Sequence, residues 1–145
     1  MSFDQIANNK RIRTDPFPFD AAATTSDDAL DLASLKAFEE LQSDDGSDLI
    51  IELIDLYLVD APQQILAIRK AVAITQWEVL RRAAHNLKGS SSTLGVNQVA
   101  VICEELEATN SSDSSEAVEA LVQVLDYKFA KARQALTTER QRRLS

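Results

Sequence analysis

The stretch GSDLIIELIDLYLVDAPQQILAIRKAVAI, residues 46–74, sets Ile50, Leu53, Ile54, Tyr57, Ala61, Ile65, Ile68 and Val72 at intervals of three and four. That spacing gathers them on one side of an α-helix, whereas a strand would alternate apolar and polar positions. Pro62 interrupts the pattern. Lacking an amide hydrogen, it predicts a kink or a break, with Asp60 and Gln63 spaced as a capping box. Between residues 49 and 59 the charged residues are Glu52 and Asp55 alone. A helix that apolar either lies deep in a bundle, here beneath a short first helix, or shows an adhesive face to a partner.

The same period recurs along the chain. DLASLKAFEELQ, residues 31–42, predicts a short helix with Leu35, Phe38 and Leu41 on one side, and VNQVAVICEELEA, residues 96–108, turns Val99, Ile102, Cys103 and Leu106 inward. TNSSDSS is a polar loop. Val118, Leu121, Val122, Leu125, Phe129, Ala132 and Leu136 then form one stripe of a long last helix. Four main helices with short connections predict an all-α, antiparallel four-helix bundle with a short additional N-terminal helix. Residues 1–30, which contain DPFPFD and AAATTSDD, sustain no period and are expected to form a flexible leader. Arg140, Arg142 and Arg143 are expected to lie in a basic, frayed tail over residues 139–145, leaving residues 31–138 as the bundle.

Composition agrees with a single helical domain and narrows its partners. The 145 residues are 45% hydrophobic, enough to bury one core, and three glycines and three prolines are too few for a turn-rich β fold. One cysteine excludes an internal disulfide and a cysteine-based metal cluster. No run approaches the roughly 18 apolar residues of a membrane span, and the amino terminus lacks a signal-peptide core, so a cytoplasmic protein without membrane contact is expected. A net charge of -8 argues against nucleic acid as a partner. That charge is uneven, because residues 76–95 carry Arg81, Arg82 and Lys88 against Glu78 alone.

Within that positive patch lies RRAAHNLKGSSSTLG, residues 81–95, which holds the chain's one histidine. Thr75 and Glu78 are spaced as a capping box that would start its helix. At about 100° per residue, Leu80, Ala83, Leu87 and Leu94 gather on one side and His85 falls nearly opposite, facing water. Arg81, Arg82, Lys88, Gly89 and Ser92 share or flank its face. A core histidine is disfavoured. A metal site is weaker still, with no second histidine and no carboxylate one turn away. Exposed histidines are often idle, but Gly89 costs an exposed helix about 1 kcal/mol relative to alanine and leaves a notch beside the imidazole. A notch beside a nucleophile suits a reaction whose other half arrives on a second protein. The nearby bases could balance a phosphoryl group, although such side chains on a surface helix are ordinarily solubilising.

AAHNLKGSSSTLG, residues 83–95, closely resembles the signature of histidine-containing phosphotransfer domains, in which Ala-His-x-Leu-Lys-Gly is followed by small residues and a glycine. The resemblance extends over residues 31–136, including DLYLVDAPQQI and ICEELE. It implies a monomeric phosphorelay carrier. His85 would accept a phosphoryl group from a receiver-domain phosphoaspartate through the ring nitrogen farther from the backbone and pass it to another receiver. Lys88 would stabilise the charge, and Arg81, Arg82, Gly89 and Ser92 would meet the partner. The implied partners are response-regulator receiver domains, including that of a hybrid sensor histidine kinase. No cofactor of its own is implied, with magnesium expected on the receiver.

Three other readings compete. A histidine-kinase dimerisation helix would place an acidic residue and then a proline after the histidine and continue into an ATP-binding domain. Asn86 and Gly89 stand against it, and no phosphate loop or kinase motif appears, so the chain is expected not to be an ATP-dependent kinase. A detached phosphotransfer domain of a chemotaxis-type kinase, and a helical bundle that sequesters receivers without phosphorylation, are the alternatives. His85 and Lys88 together argue against mere sequestration.

Overall fold

The computed structural model describes residues 29–40 and 48–145, so all but the last two residues of the expected leader over residues 1–30 lie outside the described residues. The described residues form five helices: α1 (Leu32–Glu39), α2 (Leu49–Ala73), α3 (Trp77–Thr93), α4 (Asn97–Glu107) and α5 (Ser115–Leu144). Helices α2 to α5 form the four-helix bundle. α3 packs on α2 and α4, and α5 closes the ring against the same two helices. The periodic residues fill the centre, with Ile50, Ile54, Ile68, Leu80, Leu87, Val99, Leu106, Leu125 and Leu136 fully or almost fully buried. Each such side chain contributes about 1.5–3 kcal/mol through burial.

α2 runs unbroken through Pro62, so of the expected kink or break the break does not occur. Proline removes one helical hydrogen bond, but buried contacts on both sides, from Ile54 and Tyr57 to Ile65 and Ile68, hold the two halves in one helix. Asp60 caps nothing. Gln63 Nε2 donates at 3.4 Å to Val59 O, and the cap of α2 is Asp48, whose Oδ1 accepts from Ile50 N and Ile51 N at 3.0 and 3.3 Å. The apolar run over residues 49–59 is divided between the two expected fates. Ile50, Ile54 and Tyr57 are buried, while Leu56 and Val59 are 65% and 64% exposed.

α1 clips the bundle rather than covering α2. Leu30 and Leu35 are buried, so packing includes a residue before the expected boundary at Asp31. The side chain of Phe38 and all of Leu41 lie outside the described residues. Asp31 N donates to Gly95 O at 2.8 Å, and Asn97 Nδ2 donates to Asp31 Oδ2 at 3.3 Å. Gly95 is what permits this close approach. Its φ is +77°, and a β-carbon there would stand 2.7 Å from Asp31 O.

The carboxy-terminal bases are not a frayed tail, because α5 remains helical to Leu144. Arg140 Nε donates to Asp55 Oδ1 at 2.5 Å. Arg143, its side chain only 9% exposed, reaches Glu139, Glu39 and Asp48. Burial of Glu139 requires these cations, since an unpaired carboxylate in the packed interior would be costly. The charges that suggest a solvated end therefore bind α5 to α1 and α2.

Candidate functional site

α3 begins without the expected capping box. The end of α2 is a Schellman turn, with Thr75 N donating to Val72 O and Gln76 N to Ala71 O, and it places Thr75 at φ +52°. That geometry aims Thr75 Oγ1 at Ile74 O, 2.7 Å away, and Glu78 pairs with Arg81 instead. α3 is oriented by its inner side. Tyr57 Oη and Ser91 Oγ share a buried hydrogen bond at 2.8 Å, and burial raises the Tyr57 phenol above its ordinary pKa. With Ser91, Leu80, Ala84 and Leu87 turned inward, the opposite side of α3 must face out.

His85 stands on that outer side, its side chain 64% exposed. Its Nδ1 lies 2.8 Å from Glu107 Oε2 on α4. Lys88 Nζ lies 2.7 Å from the other oxygen of the same carboxylate. Glu107 Oε1 is screened from water and holds no well-aligned hydrogen bond, so this contact is an ion pair. The Lys88 ammonium foremost, and His85 next, hold the Glu107 carboxyl below the usual carboxylate range. The carboxylate in turn raises the Lys88 ammonium.

Glu107 is the residue that sequence reasoning missed. The absence of a carboxylate one turn from His85 holds along α3, but the carboxylate arrives from the next helix. Reflection about the turn at Gly95 could have found it, since His85 lies ten residues before that turn and Glu107 twelve after.

The other candidates separate. Arg81 is tied down, with Nη1 donating to Thr109 O at 3.0 Å and Nη2 to Glu78 Oε1 at 2.9 Å. Arg82 is exposed, and its side chain makes no hydrogen bond or ion pair among the described residues. Apart from the adjoining residues and the backbone of α3 itself, no atom lies within 4 Å of where a Gly89 β-carbon would stand, and Ser92 is exposed. Beside them runs a shallow groove of about 440 Å³ between α2 and α3, lined by Leu53, Leu56, Tyr57, Asp60, Ser90, Thr93 and Leu94. Among the described residues no helix is long and apolar enough to cross a membrane.

A helical bundle with an exposed histidine on one of its faces is the architecture of a histidine phosphotransfer domain. The chain belongs to the Hpt domain family, which matches residues 52–139. Hpt domains serve as phosphotransfer intermediates in phosphorelays and interact with response-regulator receiver domains. The chain is also similar to a solved structure, the crystal structure of histidine-containing phosphotransfer protein B (HptB) from Pseudomonas aeruginosa PAO1. The two align with a TM-score of 0.65 and 29% identity, over 81% of this chain and 98% of that one. No curated protein matches the sequence.

Proposed function

We propose that His85 is the phosphoryl carrier of this chain, taking the group from a phosphoaspartate on one receiver domain and delivering it to an aspartate on another. The observation that carries this reading is the placement of the chain's one histidine, 64% exposed and one turn from an open glycine position, in an Hpt-family bundle. The imidazole lone pair attacks phosphorus, the N–P bond forms as the O–P bond breaks, and the aspartyl oxygen leaves with the electron pair as a carboxylate. Transfer to the second receiver reverses the exchange.

The receiver supplies the magnesium ion and the acid cluster around its aspartate. This chain brings a nucleophile and a surface on which Gly89 and Ser92 leave room and Arg82 offers a cation. Leu56 and Val59 extend that surface along α2. The donors include the receiver of a hybrid sensor kinase, and the chain transfers phosphoryl groups without drawing them from ATP.

Mixing the protein with a radiolabelled phospho-receiver is the direct test. Acid-labile, base-stable label on this chain is expected, with none after incubation with ATP alone. Tight binding to the phospho-receiver without label would instead favour the sequestering bundle.

A further inference from the structure

The outer side of α5 presents a basic stripe on an acidic protein. Tyr127, Lys131, Gln134 and Thr138 follow one another at intervals of four, three and four, so they share one line along the helix. Residues 127–138 hold three bases and no acid. Tyr127 is 59% exposed, and Lys128 Nζ and Lys131 Nζ lie 6.0 and 5.4 Å from the centre of its ring. Neither lysine makes an ion pair among the described residues. Lys131, Ala135 and Thr138 form one wall of a cleft of about 450 Å³, opposite Leu30 and the exposed Leu32. The acid at its edge, Glu139, is already paired with Arg142 and Arg143.

Where the chain enters the domain decides what can reach this stripe. Ala29 itself lines the cleft. The fifteen residues before it, 14–28, hold four acids and no base, the opposite balance to that of α5. Among them is DPFPFD, residues 15–20, in which Phe17 and Phe19 stand between Asp15 and Asp20. Asp20 precedes Ala29 by nine residues. Nine residues reach up to about 30 Å, whereas Thr138 and Tyr127 are about 17 Å apart along the helix. Pro16 and Pro18 each fix a backbone angle, which lowers the freedom that binding removes. Tethering supplies the segment at an effective concentration on the order of millimolar, so weak contacts suffice.

From this we propose that the DPFPFD segment docks on the α5 stripe of its own chain, with its two phenylalanines against Tyr127 and the cleft and its aspartates beside Lys128 and Lys131. α3 and α5 lie across the bundle from each other, so a segment docked there leaves His85 open. The proposal stands whether or not His85 carries a phosphoryl group.

NMR of the full chain tests it. Nuclear Overhauser contacts from the Phe17 and Phe19 rings to Tyr127 and Ala135 are expected, and dilution should leave them unchanged. Phe17→Ser together with Phe19→Ser should abolish them and shift the amide resonances of residues 127–138, while those of α3 stay in place. Lys128→Glu together with Lys131→Glu should weaken the contacts, and adding Asp15→Lys and Asp20→Lys to that protein should restore them. Added salt should weaken them in the parent protein, because all four charges are close to solvent.

Absence of both the contacts and the resonance shifts would overturn the proposal outright. Mixing isotope-labelled with unlabelled copies identifies the occupant. Contacts found only between copies would overturn docking within one chain and assign the stripe to a second molecule. Contacts undiminished by the charge reversals would overturn the part given to the lysines.

Discussion

Replacing His85 by glutamine should leave stability within about 0.5 kcal/mol, because the side chain is 64% exposed on the outer side of α3. Chemical denaturation checks that figure, and loss of label from a phospho-receiver checks the function. Gly89 separates the two properties in the other direction. With no atom near its missing β-carbon, Gly89→Ala should stabilise α3 by up to about 1 kcal/mol. Gly89→Gln should stay folded and still react with phosphoramidate, yet lose transfer from a receiver; full receiver transfer would show that no partner approaches there. These placements were legible from sequence because exposure on one helix follows from angle alone. Glu107 was not legible in that way. A helical period states which residues share a side of their own helix, and it is silent about which residue of the neighbouring helix stands opposite.

The two turns flanking α3 have the same hydrogen-bond pattern but different residues at the left-handed position, Thr75 in one and Gly95 in the other. Thr75 is exposed, so Thr75→Gly should relieve backbone strain at no packing cost. A net stabilisation of about 0.5–1 kcal/mol is expected, after allowing for the extra freedom glycine gains when unfolded. Gly95→Ala should cost about 1–3 kcal/mol, since the new methyl group meets both an unfavourable φ and the Asp31 carbonyl. Thermal unfolding of the two variants should therefore move in opposite directions. The contrast explains why the start of α3 was misread. Threonine followed three residues later by glutamate is a sound capping pattern only when the threonine backbone is extended. Here the preceding helix claims that residue for its own termination. Pro62 does not break α2 for a related reason: its local penalty is real, but burial on either side exceeds it.

Across the molecule, the largest departure from the sequence reading is the end of α5, where charge density resembles a solvated tail and instead forms a partly buried network. Arg143→Met should cost about 2–3 kcal/mol at neutral pH, less than a wholly broken buried pair because Arg142 still reaches Glu139. The pH dependence has a defined sign. Arg142 foremost, then Arg143, hold the Glu139 carboxyl below its ordinary range. Its contribution is therefore present above the unfolded value of about 4.3 and is lost as pH falls through the lower folded value. The penalty of Arg143→Met should shrink as pH falls through the lowered folded value and Glu139 becomes neutral, and denaturant midpoints on the acid side would measure it. Among the described residues, α1 is held by the same network through Glu39, by Leu30 and Leu35, and by the bonds of Asp31. α1 is expected to open locally while the other four helices stay assembled. In deuterated solvent, the Asp31 amide should consequently exchange by a local opening, well before the central amides of α3, and its protection should weaken as added salt screens the Arg143 pair.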